Sequence, residues 1–158
     1  MSTPEKVEAE KWEDLSPFRM DQEAIDEVLA LAPGCVVTWV AKNGQPMGVW
    51  VSHVVMDGEV WVTTTGNRSK TRAWARDPRT TAVFGVPGIG SVTVVGRVEL
   101  RDDAGERTRF LETLMEKIGM SREEGGNSWM EHMNTDGRLV GPVRADKYIT
   151  FDERKLAF

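Results

Sequence analysis

Between Gln45 and Arg79 the chain reads QPMGVWVSHVVMDGEVWVTTTGNRSKTRAWARDPR. Its Asp57-Gly58 pair stands between two runs rich in valine and tryptophan. Both residues of such a turn need positive φ, which Asp and Gly adopt at low cost, so the pair predicts a tight antiparallel hairpin. Asn43-Gly44 repeats the signal one strand earlier. Together they predict a three-stranded meander over Cys35–Lys42, Gln45–Met56 and Glu59–Thr65.

The rest of the chain extends this pattern. Asp21 to Leu31 spaces Ala24, Ile25, Val28 and Leu29 as one helical face, and Pro33-Gly34 stops it. Ser69 to Arg76 predicts a short helix ended by Asp77-Pro78. Thr80–Val86 and Ser91–Arg101 form a strand pair around Pro87-Gly88. Ala104 to Gly119 carries Phe110, Leu111, Leu114, Met115 and Ile118 in helical register. Ser121 to Gly137 reads as irregular, and Val143 to Phe151 as a last strand whose odd positions share one face. Six short antiparallel strands and three helices predict a mainly β (α+β) fold, a small barrel with flanking helices. Residues 1–20 read as a flexible, charged N-terminal arm able to wrap a neighbour, and 21–158 as a single domain.

Charge and composition narrow the function. The 158 residues carry 20 Lys plus Arg against 25 Asp plus Glu, a net charge of −5 that argues against a nucleic-acid partner. No run approaches the roughly 20 apolar residues of a membrane span, and the charged start does not form a secretory signal. A single cysteine, Cys35, forbids an internal disulfide and fits a reducing cytoplasm. Its place in an apolar strand predicts inert burial. Few lysines beside many Ala, Gly, Val, Arg and Asp hint at a GC-rich bacterial source. No Cys/His cluster predicts a metal, since His53 and His132 are far apart in sequence.

The loop after the third strand carries the chemistry. Thr63, Thr64 and Thr65 are followed by Asn67, Arg68, Ser69 and Lys70 at a helix start. Hydroxyls, two cations and the free N–H groups of a helix N-terminus suit a phosphate. A solvated turn between strand and helix would carry the same residue types.

The order of these motifs resembles the pyridoxamine 5′-phosphate oxidase-like split-barrel family. The shared pattern is a helix, a meander, T-T-x-x-x-x-S-K, a short helix ending in Asp77-Pro78-Arg79, and the strand Val95-Gly96-Arg97-Val98-Glu99. It covers about residues 22 to 151. The resemblance implies a homodimeric split barrel with flavin or deazaflavin sites at the subunit interface. The ring would lie along Val49, Trp50, Val51 and Ser52, and the phosphate on Thr63, Thr64, Thr65, Arg68, Ser69 and Lys70. The oxidase itself has basic residues where this chain reads QPMGVWVS, and its C-terminal Arg-x-His motif is missing here. Vitamin B6 oxidation is therefore not expected. The proline entering the strand and the T-T-x-G-x-R-S-K loop look closer to an actinobacterial branch that uses coenzyme F-420, with FMN as the other cofactor.

The implied activity is hydride transfer between that cofactor and a small organic molecule, with the cofactor performing the chemistry and the protein positioning and polarising it. The alternative is a carrier that binds a flavin, deazaflavin or haem without turnover. His53 is a candidate proton donor; the plainer reading is a strand histidine facing solvent or a partner chain. Trp50 could stack on the ring, Tyr148 could place a hydroxyl near it, and Trp61 and Trp74 read as core. The segment 125–137 suits a lid and a dimer contact equally.

Overall fold

The computed structural model describes residues 3–8 and 13–157. Hairpin chemistry sets its topology. Asp57 (φ 54°) and Gly58 (φ 74°) close β3 (His53–Met56) onto β4 (Glu59–Thr65). Gly44 (φ 84°) turns β1 (Cys35–Val40) into β2 (Pro46–Val51). With β5 (Arg79–Val86), β6 (Gly90–Val98) and β7 (Arg138–Asp152), the strands make one seven-stranded antiparallel sheet ordered β2-β1-β5-β6-β7-β4-β3.

The two edge strands, β2 and β3, are one stretch of chain interrupted only at Ser52. The sheet therefore curls until its edges meet at that residue, giving a half-barrel that is split there. The sequence pattern predicts six strands because it reads Gln45–Met56 as one. Ser52 divides that run, sending its first half to β1 and its second to β4. Nothing in the apolar periodicity marks a change of partner.

Helix α1 (Gln22–Leu31) is capped by Asp21, whose carboxylate accepts from the Ala24 N–H at 2.9 Å. Its buried face, Ala24, Ile25, Val28 and Leu29, lies on the main core with Val37, Ala82, Phe84 and Val92. Helix α3 (Ala104–Lys117), capped by Asp103, closes a second cluster in which Phe110, Leu111 and Leu114 meet Val54, Trp61 and Val140. Helix α2 (Ser69–Arg76) buries Ala73 and Trp74. As expected, Trp61, Trp74 and Cys35 are core residues.

Two expectations about the C-terminal third are corrected. Asn127–Met133 forms a fourth helix, α4, which anchors Met130 in the second cluster; two turns behind Gly125-Gly126 are too few to show a period. Strand β7 starts at Arg138 rather than Val143, and it does not keep one face. A register shift between Val95 and Gly96 bulges it at Asp146. Val143 thus lies beside buried Val98, while Lys147 and Ile149 lie beside the more open Val95 and Thr93. An extra residue exchanges the faces of everything beyond it.

At the N-terminal end, Val7 bridges Leu156 of the same chain, and Phe18 is buried. Arg154 closes the far end by joining Asp152 (2.9 Å) to Glu27 (2.8 Å), with Asp152 fully enclosed.

Candidate functional site

Among the described residues strand β2 pairs only with β1, which leaves one row of its backbone groups open. The Ala41 N–H donates to the Gln45 carbonyl at 2.9 Å, which marks the first bonded pair of the ladder. Antiparallel pairs alternate, so Met47, Val49 and Val51 bond to β1 while Gly48 and Trp50 turn their backbone N–H and C=O to the free edge. The edge can therefore serve the polar rim of a planar ligand.

Strand alternation also divides the predicted ring-side set. Val49 and Val51 share a face with the buried partners Val37 and Cys35. Trp50 shares the opposite face with Val36, and its indole lies over Gly34, where a Cβ would fall 2.2 Å from the ring. All of these side chains cannot line one ring, so the contact common to them is backbone. On the outer face, Trp50, Val36, Val83, Thr93 and Ile149 follow one another across five strands in register. Trp50 and Ile149 are each 58% exposed. This row is a solvent-facing apolar stripe.

The β3–β4 register pairs His53 with Val62, and one step further it brings Ser52 beside Thr63. The edge and the hydroxyl loop thus converge at the split. Thr63 Oγ1 donates to the Leu139 carbonyl at 2.9 Å, and Thr65 Oγ1 to Asn67 Oδ1 at 2.7 Å. Thr64 is buried and bonded to Thr71 at 3.0 Å, so it builds the loop from inside. Ser69 opens α2, whose N-terminus has no side-chain cap. Its first N–H groups have no partner within the helix and remain available to an anion.

Arg68 and Lys70 flank that N-terminus, and the structure adds a cation that sequence reasoning missed. Arg138 sits across the β4–β7 ladder from Thr65, and its Nη1 lies 3.4 Å from Thr63 Oγ1. Partial burial, then Arg68 and Arg138, push the Lys70 ammonium below its ordinary value. Burial and Arg68 do the same to Arg138. Among the described residues none of Arg68, Lys70, Arg72, Arg76 or Arg138 makes an ion pair. Clustered cations without counter-charge raise the affinity of the spot for an anion. The only local signal for Arg138 was its place after Asp136-Gly137, which reads as an ordinary turn.

His53 faces neither solvent nor the cleft. It is fully buried, with Nε2 donating to the Leu29 carbonyl at 2.7 Å and the ring edge-on to Phe84. Lys117 Nζ donates to the His53 carbonyl at 3.0 Å. Burial lowers the imidazole pKa to about 4, so it stays neutral and holds the C-terminal end of α1. A folded pKa below the unfolded one means that this stability is complete above pH 6.5 and is lost as pH falls towards 4. Chemical denaturation between pH 7 and 4 should show stability falling by up to about 3 kcal/mol from this group, and His53→Gln should flatten that slope. An unchanged slope in the variant would assign the pH dependence elsewhere.

Two other sequence candidates lie on neither the β2 edge nor the Thr63–Lys70 loop. Tyr148 is on β7, separated from β2 by three strands in the sheet order, and His132 is on the exposed side of α4. Among the described residues no group of three or more His, Cys, Asp or Glu is placed to hold a metal. No described helix is long and apolar enough to cross a membrane.

Comparison with known proteins agrees with this architecture. A family model described as pyridoxamine 5′-phosphate oxidase matches residues 21–141. No curated protein sequence matches. Among solved structures, a conserved hypothetical protein from Mycobacterium tuberculosis superposes with a TM-score of 0.79 at 21% identity, covering 90% of this chain and 91% of that one. An F420 reductase gives 0.63 at 20% identity, covering 78% and 94%. A heme binding protein from Mycobacterium smegmatis gives 0.60 at 13% identity, covering 87% and 61%. At these identities the likeness is one of fold.

Proposed function

The chain belongs to the pyridoxamine 5′-phosphate oxidase family, and from that footing we propose that it is a flavin- or deazaflavin-dependent oxidoreductase. The observation that carries this reading is the convergence, at Ser52, of an open backbone edge with a loop of uncompensated cations. A mononucleotide-like cofactor needs both: donors and acceptors for its ring and positive charge for its phosphate. Gly48 and Trp50 would meet the ring through their backbone, and Arg68, Lys70 and the α2 N-terminus would hold the phosphate. When bound, such a cofactor supplies hydride transfer. The protein's own part is to orient the ring against β2 and to shield one face of it.

Coenzyme F-420 is preferred over FMN on the resemblance of the Thr63–Lys70 loop, and the F420 reductase among the structural relatives supports it. Haem is the weaker reading. Cys35 and His53 are enclosed in the core, and His132 lies on the exposed side of α4. The Trp50–Ile149 stripe supports a homodimer, because a second copy is a self-complementary cover for an apolar sheet face. In that assembly each cleft would be walled by its partner, and the small-molecule substrate would enter beside β2.

The test is a titration of purified protein with coenzyme F-420 and, separately, FMN, followed by tryptophan and cofactor fluorescence. Tight F-420 binding with weak FMN binding is the expected result. FMN binding alone would shift the cofactor assignment. Binding of neither would overturn the reading, and binding without turnover across a substrate panel would leave a carrier.

A further inference from the structure

Arg138 is tied to two parts of the molecule at once. Its Nε donates to the Met133 carbonyl at 2.6 Å, at the C-terminal end of α4, and its Nη2 lies 3.6 Å from Met133 Sδ. Its Nη1 reaches Thr63 Oγ1 on the anion loop. A guanidinium carries five N–H donors, so each Nη keeps a second hydrogen directed away from these partners. Two N–H groups in a planar fork are what a phosphate accepts in bidentate fashion.

The connection behind this side chain is held on both sides. Gly66 N–H donates to the Gly137 carbonyl at 3.0 Å, which fastens it to the anion loop. Arg107, buried to 6% exposure, donates to Asn134 Oδ1 at 2.8 Å and lies 3.4 Å from the Arg138 carbonyl. Asn134 in turn donates to Thr108 Oγ1 on α3 at 3.1 Å. Residues 133–138 are thus a strap between the anion loop and the α3–α4 pair, and Arg138 is its side-chain contact with the loop.

We infer that Arg138 is the third cation of the anion subsite and that a bound phosphate group, by fixing its guanidinium, orders the strap and the end of α4. The charge argues for an anion: among the described residues Arg68, Lys70 and Arg138 gather in one place with no carboxylate paired to them, and a phosphate group compensates them. The geometry supplies the coupling. The plane that receives the anion is the same plane that holds the Met133 carbonyl, so anchoring one edge of the fork anchors the other. Segment 125–137 then belongs to the site as a wall that tightens on occupancy. This inference rests on the phosphate reading of the loop and is independent of the redox reading.

Inorganic phosphate is the probe. Full-length protein is titrated with it at constant ionic strength while amide exchange is followed over residues 127–137. The expected result is saturable binding accompanied by at least a threefold slowing of exchange in α4 and the strap. Arg138→Met should weaken binding at least tenfold and abolish the slowing. Arg138→Lys keeps the charge without the fork, and should regain part of the affinity without the protection. Asn134→Ala leaves every cation in place and should reduce the protection more than the affinity; it carries the test if Arg138→Met fails to fold. Wild-type affinity in Arg138→Met, unchanged exchange on phosphate addition, or no phosphate binding by the wild type would each overturn the inference. Phosphate binding that survives while FMN and F-420 both fail would overturn the oxidoreductase proposal alone.

Discussion

Gly141→Ala should melt far below the parent protein, with a loss of about 3 kcal/mol or more. Gly141 lies on β7 opposite Val62, and a Cβ built there falls 1.9 Å from the Glu99 carbonyl oxygen and 2.6 Å from its carbon. Both are backbone atoms, so no rotamer change relieves the overlap. The Glu99 segment cannot retreat freely either. Its N–H donates to the Pro142 carbonyl at 3.0 Å, and Arg101 N–H donates to Val140 at 2.7 Å. Moving the chain aside would break these bonds and open the seam where β7 passes from β6 to β4. For a domain of this size the loss corresponds to a fall in Tm of roughly 6–12 °C. A variant melting within about 2 °C of the parent would show that the seam is softer than its contacts indicate.

Lys70→Ala should weaken cofactor binding by roughly 1.5–3 kcal/mol, or about 10- to 150-fold, with little change in stability. Lys70 is half-buried and pairs with no carboxylate among the described residues, so its removal breaks no ion pair there. It relieves repulsion with Arg68 and Arg138, which offsets the cost of losing its packed methylenes. A cation that is unfavourable to the empty fold and favourable to a ligand is the pattern of a binding residue. Isothermal titration with whichever of F-420 and FMN binds the parent checks the affinity, and thermal melting checks the fold. Lys147→Ala, on an exposed stretch of β7, is the charge-matched control and should bind as the parent does. Equal affinity for Lys70→Ala and the control would remove Lys70 from the phosphate site.

The legible parts of this chain were those written in neighbouring residues. Asp57-Gly58 and Gly44 specify their turns because positive φ is a local cost. The α1 and α3 faces were readable because a helical stripe repeats over several turns. Helix α4 escaped because its two turns are too short for a period, and the end of β2 escaped because a strand that changes partners keeps its alternation. Of the anion loop, Arg68, Ser69 and Lys70 were visible as a cluster in sequence. Arg138 was not, because only the β4–β7 pairing brings it beside Thr65.

His53 shows the same boundary from the other side. In sequence it follows Ser52 on the strand expected to meet the ring, and it is a plausible proton donor. Beyond the break at Ser52 its side chain is buried, and the Leu29 carbonyl of α1 accepts its N–H. Sequence by itself determined the two antiparallel hairpins, the faces of the long helices and the family to which the chain belongs, because each depends on local φ preferences or short-range spacing. Only the tertiary structure decided that the sheet closes at Ser52, that Thr64 and His53 face inward, and that Arg138 joins the cation loop. Those outcomes depend on which distant strands pair and in what register, and long-range pairing leaves no local trace in the residues it brings together.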